Sequence, residues 1–313
     1  MKSASKFGPV MKGDDETKPA KKKAVASKTG ALPPGVPPHL AQSSWINYEA
    51  QAAIAVATSL AVELKRLNKK VNADRVHKSR VALRRWFSVW AVMKDDEWQS
   101  GKFKKGITKP LRKLLSMLGE LRDQDVNLEL GEKLEVSKEQ IKKWKADRKR
   151  LKNRLCDYVD ELDLGGMVSE IPEYLRSRAD KVEKAMNNGK VLHESAYVHL
   201  DRHVIEHERE VRQRASSATS AEEMHALRLS IKRWRYILTE FFGLTNLELV
   251  RAQQLLGQIH DLDRLTPLLD SDKSNQRALV NLERRRMQLL EEFARMRNDL
   301  PYGLRPVIYS TKR

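Results

Sequence analysis

Two stretches of this chain, HKSRVALRRW from His77 and HALRLSIKRWRY from His225, place a histidine, three cations and a tryptophan at identical separations. In the first they are His77, Arg80, Arg84, Arg85 and Trp86, and in the second His225, Arg228, Lys232, Arg233 and Trp234. A second matched pair follows each of them, LGELRDQDV from Leu118 and LGQIHDLDRL from Leu256. A self-similarity of roughly 140 residues is too long for a solenoid unit and suits two homologous helical bundles instead.

An α-helix turns about 100° per residue, so the histidine and the cations three and seven places on share an arc of about 60°. Val76, Leu83, Phe87 and Trp90 fall on a different arc, as do Leu227, Ile231, Trp234, Leu238 and Phe242 in the second copy. Each helix is therefore expected to have one packed side and one charged side. Acidic partners at i±4 are nearly absent from Lys78 to Arg85 and from Arg228 to Arg235, so the cations repel unless an outside anion neutralises them. Arginine's planar fork takes two phosphate oxygens and lysine supplies a mobile point charge, a mixture suited to a flexible polyanion.

On these two histidine-led basic helices and the two Leu-Gly-x-x-[Arg/His]-Asp segments, in this order, the chain resembles the CHAD proteins, named for a conserved histidine α-helical domain. The resemblance spans residues 45–300. It implies an all-α fold of two homologous antiparallel helical bundles related by a pseudo-two-fold, with a basic groove or channel between them. It also implies inorganic polyphosphate as the partner and a place in the cytoplasm, at polyphosphate granules. The strand pattern of triphosphate tunnel enzymes, often found beside CHAD, is absent, and the chain reads as a stand-alone binding module that is not an enzyme and needs no cofactor.

Composition agrees with this reading. The chain has 313 residues, a net charge of +18 and few aromatics. Residues 1–40 hold eight lysines against three acids and almost no large apolar side chains, which predicts a disordered tail able to bind nucleic acid weakly. The tail carries +5 of the charge and leaves +13 on the rest, so the fold itself is expected to bind anions. The single cysteine, Cys156, excludes a disulfide within the monomer and suits a reducing compartment. The apolar run from Ala52 to Leu64 is too short to span a bilayer, and no secretory signal follows the lysines, so no membrane association is expected.

Periodicity predicts helices near 43–70, 74–94, 108–134, 137–163, 173–187, 191–217, 220–243, 246–269 and 275–299, with no strand. Asn72 and Asp74, Gly101 and Gly106, Gly165-Gly166, Asn188-Gly189 and Gly243 punctuate them. The helix near 173–187 lacks a counterpart and is read as a connector. The first half then covers 41–189 and the second 190–305.

The phosphate-binding candidates are the ladder residues His77, Arg80, Arg84, Arg85, His225, Arg228, Lys232, Arg233 and Arg235. Arg112 and Arg122 near the first Leu-Gly segment, Lys145, Arg148 and Lys152 on the fourth helix, and Arg277 and Arg284 on the last extend the set. His77 and His225 are open to three roles, as core residues, proton carriers or phosphate ligands, with a phosphohistidine as a remoter fourth. Asp123 with Asp125 and Asp261 with Asp263 suit either a Mg²⁺ site or the positioning of cations, and Asp123 and Asp261 are expected to orient the ladder arginines. His203-Val-Ile-Glu206-His207, with His199 a turn back, matches a zinc-protease pattern, but the corresponding helix of the first half lacks it, and an exposed or anion-facing histidine stripe is expected instead. A nucleic-acid binder is the leading alternative. Trp86, Trp90 and Trp234 argue against it, because they sit on the apolar arc where bases cannot stack on them. A metal-dependent polyphosphatase would need carboxylates clustered against the basic face.

Overall fold

The computed structural model describes residues 44–93, 98, 100–191, 194–270 and 273–304. The lysine-rich tail of residues 1–40, expected to be disordered, lies outside them. Nine long helices fill the described residues: α1 (Trp45–Lys69), α2 (Ala73–Val92), α3 (Lys109–Lys133), α4 (Lys138–Glu161), α5 (Leu164–Asn187), α6 (Ala196–Ser217), α7 (Ala221–Phe242), α8 (Leu247–Asp270) and α9 (Gln276–Met296). Among the described residues extended pairing is limited to one antiparallel bridge, between Ser44 and Ser195 at the starts of α1 and α6. No described helix is long and apolar enough to cross a membrane.

Local chemistry sets the ends of the two ladder helices. Asn72 caps α2 by accepting from the Arg75 N–H at 2.9 Å. Ser220 and Glu223 close a reciprocal capping box at the start of α7, and Gly243, at φ 65°, ends that helix in the left-handed conformation that glycine adopts without strain. Other punctuation reads differently in three dimensions. Gly101 and Gly106 do not break the chain but sit in a short helical turn and a π-helical turn (Lys104–Thr108) leading into α3.

The helix expected from residue 173 begins at Leu164. The Asp163 carboxylate accepts from the Gly166 N–H at 2.9 Å, so Gly165-Gly166 form a first turn and not a terminator. Pro172 lies inside α5 at a cost of about 3 kcal/mol, offset by burial of Leu164, Val168, Ile171 and Leu175 at helical spacing. Nor does α5 merely connect: it packs along α1 as a fifth helix of the first half.

Both halves share one contact order. The helices α1 to α4 each pack on the next, and α6 to α9 repeat the pattern. The halves meet through equivalent members, α2 on α7 and α1 on α6. A single apolar core runs through both, with Trp86, Trp98, Trp234, Phe241 and Phe293 among its fully buried side chains. Trp86, Trp90 and Trp234 thus lie inside, as the apolar arc predicts.

Close packing between α3 and α4 depends on one missing side chain. A Cβ at Gly131 would stand 2.6 Å from Ile141 Cδ1 and 2.8 Å from the ring of the buried Trp144. Gly131→Ala is therefore expected to destabilise the fold by about 1–3 kcal/mol, read as a lower denaturant midpoint at unchanged slope.

Candidate functional site

The crossing of α2 and α7 brings the two ladders face to face. Burial, then Arg84, depresses the Arg80 guanidinium to about 10, with Arg228 adding to the push and Asp123 and Asp261 opposing it; the group stays charged at neutral pH. Arg228 is lowered for the same reasons, burial first and Arg84 next, and its Nε is buried without a hydrogen-bond partner. Lys232 responds most usefully: burial, then Arg84, Arg228 and Arg80, push its ammonium down to about 7. Four cations from two helices are thus held within reach of one another, facing the two carboxylates of Asp123 and Asp261.

A further ion pair holds the crossing together. Arg85 donates from Nε and Nη2 to the Glu240 carboxylate at 2.7 and 2.8 Å, from α2 to α7. Glu240 is buried there, and the bidentate geometry leaves Arg85 a structural partner. Arg85, expected among the phosphate ligands, is therefore already neutralised.

The histidines flank the cations at the start of each ladder. Burial, then Arg122 and Arg80, lower the pKa of His77. His225 is lowered by burial, then Arg228 and Lys232, and its Nδ1 lies 3.1 Å from that of His260. His260, pushed down to about 4 by burial and then by Arg228, is neutral at physiological pH. It stands where the first half has Arg122, so each ladder histidine has a basic neighbour from the Leu-Gly segment.

The two aspartates of each pair have different partners. Asp123 and Asp261 lie inside α3 and α8 and act on Arg80 and Arg228 through charge; burial raises the Asp261 pKa. The ion pairs belong to the second aspartates. Arg148 Nε donates to Asp125 at 2.5 Å and Arg286 Nε to Asp263 at 2.6 Å, each fastening the next helix of its half across 23 residues. Arg148 is thus tied down in the fold.

Other candidates scatter. Arg112 lies over the Phe87 ring, 4.6 Å from its centroid, and lines a pocket of about 320 Å³ with Arg84, Lys232, Arg233 and His207. Arg233 also sits 3.6 Å from Glu210. Arg235 donates to Gln253 at 2.9 Å and covers Tyr236. Arg277 pairs with Glu135 at 2.8 Å on the exposed surface. Lys145 and Lys152 ride on α4, one helix removed from the ladders, whereas Arg122 and Arg284 line a second cleft between α3, α8 and α9. The carboxylates that occupy Arg85, Arg148, Arg233 and Arg277 come from other helices or loops, beyond the reach of an i±4 count along one helix.

The histidine one turn before the zinc-like motif is packed inward. His199 is buried, 3.1 Å from Glu49 and 3.2 Å from Glu194, and is stacked on Trp45, so it belongs to no exposed stripe. His207 alone of the three lines the ladder pocket. Among the described residues no group of three His, Cys, Asp or Glu is placed to hold a metal ion.

A sequence profile of the CHAD domain matches residues 52–270. The chain belongs to the CHAD domain family. A crystal structure of the CHAD domain from the plant Ricinus communis superposes with a TM-score of 0.58 at 18% identity, covering 85% of this chain and 94% of that one. PptA from Streptomyces chartreusis superposes with a TM-score of 0.52 at 14% identity, covering 82% and 99%. No curated protein matches by sequence. These likenesses establish the all-α CHAD fold.

The depressed ammonium carries a stability signature. An unfolded lysine holds its proton to near pH 10.5, whereas Lys232 in the fold releases it near 7. Between those values the unfolded chain binds more protons, so this group makes the ligand-free CHAD domain more stable as pH rises from about 7 to 10. Below pH 7 the full penalty remains. Lys232→Met is expected to stabilise the ligand-free protein at pH 7 by about 1–3 kcal/mol, the larger shifts being discounted for solvent in the groove, and to flatten that pH dependence in thermal melts.

Proposed function

We propose that this CHAD domain is a binding module for long linear inorganic polyphosphate, without catalytic activity of its own. The observation that carries the reading is the cluster of Arg80, Arg84, Arg228 and Lys232 across the α2–α7 crossing, with Arg228 Nε buried and unpartnered. Such a cluster is costly when empty and is relieved by a ligand that brings closely spaced negative oxygens. Each neutralised phosphate releases counterions, so affinity grows with chain length and falls with salt. Such a protein would act where polyphosphate accumulates, at granules in the cytoplasm.

Family membership supports the same reading. The buried tryptophans favour it over single-stranded nucleic acid, since no base can stack on rings packed in the core. The ladder histidines act as proton-linked helpers. A bound polyanion raises the pKa of Lys232, His77 and His225, each depressed in the free protein, so protons are taken up on binding.

Two outcomes are expected. The combined substitution Arg80→Ala, Arg84→Ala, Arg228→Ala and Lys232→Ala should weaken long-chain polyphosphate binding by about 100-fold or more in calorimetric titration, while far-ultraviolet circular dichroism shows helicity retained. Tight binding by that variant would sink the ladder site, and equal binding of single-stranded DNA by the intact protein would make it a general polyanion binder. Affinity should also rise by about tenfold between pH 8.5 and 6, and a pH-independent affinity would remove the role given to Lys232 and the histidines.

A further inference from the structure

The duplication is imperfect at one contact between the halves. Where α8 meets α3, Arg264 crosses over and donates from Nη2 to the Asn127 side chain at 2.7 Å and to the Asp123 carbonyl at 3.3 Å. In the aligned Leu-Gly segments the counterpart of Arg264 is Val126. Val126 lines a cleft of about 640 Å³ between α3, α8 and α9. That volume falls within the ~300–1,000 Å³ usual for small-molecule sites.

The lining is mixed in a particular way. Val126, Leu130, Leu262 and Leu289 form an apolar floor, and the carboxamides of Gln258, Asn281 and Gln288 stand among them. Arg122, Arg284 and Arg285 supply cations on the same walls, and Arg122 also acts on His77 at the edge of the ladders. Of the carboxylates, Glu129 is neutralised by Lys133 at 2.9 Å, and Asp261 lies on the side nearest Arg228 and Arg264. An apolar floor alone would suit an alkyl chain. Gln258 and Asn281 each bring a donor and an acceptor, and Gln288, whose Oε1 already accepts from Arg285 Nη1 at 3.3 Å, still brings its donors; together they suit a flat heterocycle with hydrogen-bonding edges, and the arginines suit an attached phosphate chain.

We propose that the cleft between α3, α8 and α9 is a second site, for a nucleoside triphosphate, with the base on the leucine floor against the amides and the phosphates toward Arg122, Arg284 and Arg285. The site borders the ladders at Arg122 and Asp261 but does not depend on long polyphosphate being their ligand. The discriminating probe is the base. In magnesium-free titrations of the full chain, adenosine or guanosine triphosphate should bind about tenfold or more tighter than inorganic tripolyphosphate of similar charge. Val126→Trp fills the cleft without changing charge, and should weaken nucleotide binding by about tenfold or more while leaving long-chain polyphosphate within about twofold. Should that bulky variant misfold, the double variant Asn281→Ala, Gln288→Ala alters two amides outside the buried core, and is expected to cut the preference for nucleotide over tripolyphosphate by about fivefold. The proposal is overturned if tripolyphosphate matches the nucleotides on the intact protein, or if a folded Val126→Trp binds them unchanged. Nucleotide binding without polyphosphate binding would uphold this site and reject the ladder reading.

Discussion

Mutual repulsion between cations on two crossing helices is the constraint around which the rest of this CHAD domain is arranged. Arg80, Arg84, Arg228 and Lys232 lie within electrostatic reach of one another, and the proton affinities of Arg80, Arg228 and Lys232 are lowered first by burial and then by their cationic neighbours. The arrangement stands only because other forces hold α2 against α7. On their apolar sides Trp86, Leu83, Leu227, Ile231 and Trp234 are wholly buried, each contributing roughly 1.5–3 kcal/mol of transfer free energy. Across the crossing itself, the bidentate Arg85–Glu240 pair converts one potential repulsion into a tie.

What the sequence disclosed, and what it withheld, follows from the range of the forces involved. The ladders were legible because a histidine, three cations and a tryptophan recur at helical spacing, and helical spacing decides which residues share a face. Asn72 and Gly243 were legible for a similar reason, since capping is a local interaction. Partners from distant segments were not. Nothing near Arg85 or Arg277 in sequence announces Glu240 or Glu135, so an arginine read as free is neutralised in the fold. The start of α5 was missed because Pro172 carries a strong local signal that tertiary burial overrides.

The aspartates hold a subtler lesson. The first of each Asp-x-Asp drew attention by following the Leu-Gly motif, yet the second makes the strong bond: Asp125 with Arg148 and Asp263 with Arg286, at the same sequence separation in both halves. A search for repeated i, i+23 opposite charges would have found these pairs. Where the aligned segments differ, as at Arg122 against His260 and Val126 against Arg264, the two halves make different contacts.

The contact between α1 and α6 has a bearing on how any anion is received. Buried His199 lies between Glu49 and Glu194, Trp98 donates to the same Glu49, and Ser44 and Ser195 bridge the two helix starts. Together with Arg85–Glu240 between α2 and α7 and Arg264 reaching from α8 to Asn127 on α3, this fastens the halves at three different helix pairs, so they are not free to swing about a single hinge. The gap between the ladders is accordingly set before a ligand arrives. The loss of conformational freedom on binding then falls almost wholly on the ligand. A chain with few rotatable, self-repelling links gives up less of that freedom per charge than a floppy one, so the stiffness of the guest, as much as its charge, governs what such a slot retains.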